Sequence, residues 1–123
     1  MINSYEDLFV WQKAMDLTEE IYRLVKFLPR EETYALSDQM RRAVVSIPSN
    51  IAEGHGRSST REFINFLSIA RGSLTELRTQ IQICQRLKYF SESESEFATS
   101  LCVEIYKMLN ALISRLKSKT PNP

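Results

Sequence analysis

The 123-residue sequence has one histidine, two cysteines and three glycines, and its 16 Lys/Arg against 15 Asp/Glu residues leave a net charge of +1. Each shortage excludes something. A two-metal site inside a helical bundle draws about six ligands from inward carboxylates and Glu-x-x-His pairs; His55 alone does not supply them, so neither a metal nor another cofactor is expected. A near-neutral chain has no overall field to attract nucleic acid or anionic lipid, and only local patches can argue for either. No apolar run approaches the roughly 18 residues of a membrane span, and the N-terminus lacks a basic, apolar leader. The expectation is a cytoplasmic chain with no membrane partner, and no small-molecule substrate is identified.

Cys84 and Cys102 both fall inside apolar helical patterns, as buried reduced thiols do. If their helices fold back on each other around Phe90, one lies 6 residues before the turn and the other 12 after it. At about 1.5 Å per residue the axial mismatch is roughly 9 Å, too far for a disulfide.

What is present is helical periodicity. Residues 7 to 28 carry Leu8, Trp11, Met15, Tyr22 and Val25 on one stripe and Val10, Ala14, Leu17, Ile21 and Leu28 on an adjoining one. Ser4 with Asp7 reads as the N-cap pair, and Pro29 follows the end. Residues 33 to 53 repeat Leu36, Met40, Ala43, Val44, Ile47 and Ile51, with Gly54 suited to a left-handed C-cap. Pro48 sits inside that run, predicting either a kink, relieved by Ser46, Ser49 or Asn50, or a split into two shorter helices.

Ser59 and Glu62 form a capping box before the third helix, in which Phe63, Leu67, Ala70, Leu74, Leu77, Ile81 and Cys84 step by four and three. That heptad seam predicts a long helix packed at a shallow angle. A fourth helix opens in the alternating Ser/Glu run 91 to 96 and continues through Leu101, Ile105, Met108, Leu112 and Leu116, with Phe97, Leu109 and Ile113 alongside. Short connections between four helices predict one all-α domain over residues 1–119, an antiparallel up-down-up-down four-helix bundle, and a short tail at 120–123.

Three surfaces are left over. Val45, Ile69, Ile83 and Leu87 lie off the core seams near the mid-helix Gly72, which suggests subunit contacts. Between positions 57 and 88, six basic residues face two acids, and on a helical wheel Arg57, Arg61, Arg71, Arg78 and Arg86 share one flank, a candidate nucleic-acid surface. On the second helix Arg42, Ser46, Ser49, Asn50 and Glu53 form a polar ridge. No catalytic group is identified: His55 is placed in a loop, with no nucleophile or oxyanion donor beside it, and Asn50-x4-His55 lacks the arginine a ribonuclease of this pattern needs before the Asn.

The segments Leu8-Phe-Val-Trp-Gln-Lys-Ala14, Gln39-Met-Arg-Arg-Ala43, Ser46-Ile-Pro-Ser-Asn-Ile-Ala-Glu-Gly54 and Gly72-Ser-Leu-Thr-Glu-Leu77 resemble the bacterial four-helix-bundle family encoded in intervening sequences of 23S rRNA genes. The likeness runs over nearly the whole chain. Its relatives include the accessory protein of diversity-generating retroelements, a homopentameric barrel. The resemblance implies a ring-shaped homo-oligomer, pentameric by preference, whose partner is RNA or a nucleic-acid-bound protein. It also marks Arg41, Arg42, Ser46, Pro48, Asn50, Glu53, Gly54, Gly56, Arg57, Gly72 and Glu76 as signature residues without assigned chemistry.

Overall fold

The computed structural model describes residues 4–119. The expected tail at 120–123 lies outside the described residues. Four helices, α1 (Phe9–Leu24), α2 (Leu36–His55), α3 (Thr60–Arg86) and α4 (Glu96–Ser118), account for the fold, with no strand among the described residues.

The first helix is shorter than its periodicity suggests, because the chain tightens at both ends. Tyr5–Asp7 and Val25–Phe27 are 3-10 turns. Ser4 caps the first of these, its Oγ accepting the Glu6 N–H at 3.1 Å, and Asp7 instead sends its own N–H to the Ser4 carbonyl. The stripe of Val10, Ala14, Leu17 and Ile21 is the buried one, while Met15 and Tyr22 on the other stripe stay exposed.

Helix α2 begins three residues later than expected. Residues Arg30–Glu32 form a 3-10 turn, and the Glu32 carboxylate accepts the Leu36 N–H that opens the helix. Pro48 does not split it. The helix runs unbroken from Leu36 to His55, with the proline ring buried and Asn50 Nδ2 donating to the Ser46 carbonyl at 2.7 Å. Gly54 is not a left-handed C-cap. It is a buried helical residue, and a Cβ there would lie 2.6 Å from Phe66 Cβ. The glycine is needed because α2 and α3 approach closely at that level.

The only positive φ among the described residues belongs to Lys88, at 62°. Tyr89 N–H reaches the Cys84 carbonyl and Lys88 N–H the Gln85 carbonyl, the paired bonds of a Schellman ending, with lysine where glycine is usual.

The heptad seam of α3 is buried as expected, except that Phe63 is only partly covered. Ser59 accepts the Glu62 N–H, and its hydroxyl donates to the Glu62 carboxylate. On α4 the core row is Ala98, Leu101, Cys102, Ile105, Leu109 and Ile113. Met108, Leu112 and Leu116 are its partly covered margin rather than its centre, and Phe97 is 58% exposed. A capping box precedes this helix: Glu94 N–H bonds Ser91 Oγ and Ser91 N–H bonds Glu94 Oε1.

Cross-helix pairs fix the directions. Lys13 meets Glu104 and Arg23 reaches the Glu94 carbonyl, so α1 and α4 are antiparallel. Arg71 meets Asn110 and Gln85 meets Ser95, which makes α3 and α4 antiparallel. Ser46 meets Ser73 and Met40 meets Cys84, giving the same relation between α2 and α3. The result is an up-down-up-down arrangement in which each helix packs on two neighbours, α2 and α3 most broadly.

Candidate functional site

The five arginines do not form one free stripe. Arg57 precedes α3; its guanidinium pairs with Glu53 at 3.2 Å and lies 4.8 Å over the Phe66 ring. Arg71 donates to Asn110 Oδ1 at 2.8 Å and so works as a tie between α3 and α4. Arg78 lines an open groove of about 670 Å³ between these helices, opposite Glu92 and Glu96. Arg61 and Arg86 are exposed, and neither has a carboxylate within ion-pair distance among the described residues.

The signature ridge divides in two. Arg42 pairs with Asp38 at 3.1 Å and Glu53 with Arg57, both exposed. Ser46 and Asn50 face α3: Asn50 Nδ2 donates to Ser46 Oγ at 2.9 Å, and Ser46 Oγ shares a 2.8 Å hydrogen bond with Ser73 Oγ. Arg41 points elsewhere, donating to the Thr33 carbonyl in the α1–α2 connection. Sequence periodicity located the ridge, but rotamers that reach across to α3 leave no trace in it.

The surplus apolar residues are on the surface of the single copy. Ile69 and Leu87 are each 51% exposed and Val45 and Ile83 each 41%. At Gly72 an added Cβ would meet nothing within 4 Å, so no neighbour inside this copy requires a glycine. Two turns further on, Gln80 Nε2 donates to Glu76 Oε2 at 3.2 Å while Gln80 Oε1, in a residue 4% exposed, finds no partner in a single copy. Nothing in the sequence pattern singled out Gln80.

His55 is the last residue of α2, not a loop residue, and its ring stands edge-on to Phe63 at 5.7 Å. Asn50 spends its amide on Ser46, so the two do not converge on a common point. Among the described residues no group of three or more His, Cys, Asp or Glu is placed to hold a metal ion, and no helix is long and apolar enough to cross a membrane. Burial pushes the Cys84 thiol up to about 11 and the Cys102 thiol to about 12, with the nearby Glu32 charge adding to the first. Both thiols are free and buried. Such thiols carry little thiolate at neutral pH and make poor nucleophiles.

No curated protein matches the sequence. Among solved structures, a protein of unknown function from the S23 ribosomal protein family of Bacteroides thetaiotaomicron is similar at a TM-score of 0.78 and 30% identity, over 85% of this chain and 97% of that one. The family model for the 23S rRNA-intervening sequence protein matches residues 6–111, and the chain belongs to that family.

Proposed function

We propose that the protein is a non-enzymatic, homo-oligomeric adaptor of the cytoplasm that binds structured RNA along a basic edge of its assembled surface. The observation that carries this reading is the exposed row on α3: Ile69, Ile83 and Leu87 beside an open Gly72, with Arg61 and Arg86 at its margin free of carboxylate partners. Apolar residues repeated along one helical stripe favour association. Repetition of two unneutralised cations in each copy then multiplies a modest charge into a surface able to displace counterions from phosphates. The family's link to 23S rRNA intervening sequences agrees with an RNA partner.

The test combines light scattering on the purified protein with titration of structured RNA at several salt concentrations. Binding that weakens steeply with salt and is lost in Arg61→Glu with Arg86→Glu is expected; binding indifferent to both overturns the RNA reading. A second reading, a protein-interaction module without nucleic acid, is favoured by the engagement of Arg57 and Arg71 inside the copy. A partner retained after nuclease treatment and high salt would establish it.

A further inference from the structure

Two polar ties join α3 to α4: Arg71 meets Asn110 at 2.8 Å and Gln85 meets Ser95 at 3.0 Å. At about 1.5 Å per residue they stand roughly 21 Å apart along α3. Between them the long side chains of Arg78 and Gln82 face the shorter ones of Thr99, Ser100 and Val103, and the groove of about 670 Å³ opens, with the buried Ile81 in its lining. Sites that hold ligands commonly enclose about 300–1,000 Å³.

The groove carries opposite charges at its two ends. Interpolation between the ties sets Arg78 level with Val103 and Gln82 level with Thr99. Glu96, next to Ser95, therefore stands about 10 Å along the helices from Arg78, and Glu92 lies beyond it in the connection. None of these three side chains makes an ion pair or hydrogen bond among the described residues. Arg57, by contrast, is spent on Glu53 and Arg71 on Asn110. Half-buried and lining the groove, Arg78 keeps all its N–H donors unspent. The side chains of Gln82, Thr99 and Ser100 are equally unengaged among the described residues, and Gln85 spends only its Nε2, on Ser95.

We propose that the α3–α4 groove binds the extended C-terminal end of a partner protein, with the terminal carboxylate on Arg78 and a Lys or Arg side chain three residues earlier on Glu96 and Glu92. No residue past Arg78 on α3 or Val103 on α4 lines the groove, so a chain lying in it stops there, and the anion that fits at a stop is a chain end. The planar fork of arginine donates two parallel N–H···O bonds to such a carboxylate. An extended chain advances about 3.3 Å per residue, so three residues reach from Arg78 to the level of Glu96. The amides and hydroxyls of Gln82, Thr99 and Ser100 offer donors and acceptors to its backbone along the way. Ile81 and Val103 put apolar surface beside Arg78, which suits an apolar last residue. A single amino acid carries its two charges too close together to serve both ends. The site uses none of the residues proposed to meet RNA and gives the adaptor a separate, protein-facing contact.

The probe is a dye-labelled peptide ending in Lys-Ser-Ala-Leu with a free carboxylate, titrated with the full chain and read by fluorescence anisotropy. It should bind, and amidating its terminus or replacing its lysine with alanine should each weaken binding about tenfold or more. Arg78→Gln should cause the same loss as amidation, and amidation should then cost nothing further. Glu92→Gln with Glu96→Gln should likewise cancel the effect of the peptide's lysine. Helical circular dichroism should be unchanged in these variants, because none of the three side chains holds another residue in place. Absence of binding at millimolar peptide overturns the proposal, as does amidation that costs the same in wild type and Arg78→Gln. Displacement of the probe by equal concentrations of free leucine or lysine also overturns it, in favour of a small-molecule site. RNA titration of Arg61→Glu with Arg86→Glu reads the other surface, so either reading can fail without the other.

Discussion

Tyr89, in the α3–α4 connection, donates its hydroxyl to Glu32 Oε2 at 2.8 Å across 57 residues of sequence, and the other oxygen of that carboxylate accepts the Leu36 N–H that opens α2. One carboxylate therefore ties together two connections at the same end of the bundle. A hydrogen bond to a charged acceptor is worth about 1.5–3 kcal/mol when fully sheltered and less at a half-buried site. Tyr89→Phe should lower unfolding stability by about 1 kcal/mol in urea titrations and leave the helical spectrum intact. Glu32→Gln, which keeps the Tyr89 partner but removes its charge, should cost less than Glu32→Ala.

Alkaline pH should weaken the fold at these same elements. The bond to Glu32 raises the Tyr89 pKa, and burial raises those of Cys84 and Cys102 from 9.0 to about 11 and about 12. The folded state holds these protons more tightly than the unfolded chain, so their contribution is complete below about pH 9 and is lost as pH climbs toward the folded values. Urea midpoints should be level between pH 7 and 8 and fall between pH 9 and 11. Constant midpoints across that range would contradict the assignment.

The buried thiols also make a kinetic prediction. In native protein at pH 8 an aromatic disulfide reagent should modify Cys84 and Cys102 at least tenfold more slowly than in urea, because access and thiolate are both lacking.

Gly54 and Gly72 should respond oppositely to the same change. Gly54→Ala forces a Cβ to 2.6 Å from Phe66 Cβ, and overpacking of that kind costs about 1–3 kcal/mol. Gly72→Ala enters open space and should gain about 0.5–1 kcal/mol in a single copy from helix propensity. Equal effects in denaturant titrations would refute the distinction.

Lys88→Gly should stabilise the protein by about 0.5–1 kcal/mol, because it relieves a left-handed lysine at the end of α3. A Lys88→Val comparison, β-branched at a positive φ, should move in the other direction.

The helices, their order and most of the core were legible, because an apolar residue every three or four positions has one economical explanation. The Val10–Ile21 stripe, the α3 seam from Leu67 to Cys84 and the Ser59 cap all follow from local pattern. What was not legible depended on another helix. Gly54 looked like a terminator, and only the proximity of Phe66 gives it its real role. Met108 and Leu109 are equally apolar in sequence, and the packing of α4 against α1 and α3 decides which is buried. The partners of the arginine flank were hidden for a similar reason: a wheel gives directions for α3 but not the Asn110 that Arg71 reaches.

The broad contact of α2 with α3, drawn close at Gly54 and joined by a four-residue connection, also bears on the order of events when the chain folds. Contacts between helices adjacent in sequence cost little loop entropy, so this hairpin is the natural nucleus. Closure of α1 onto α4 needs ends that lie far apart along the chain. Amide exchange should accordingly be slowest in Val44–Ile51 and Ala70–Leu77 and fastest in the first turn of α1 and the last of α4, so that the bundle opens along its α1–α4 seam while the central hairpin persists.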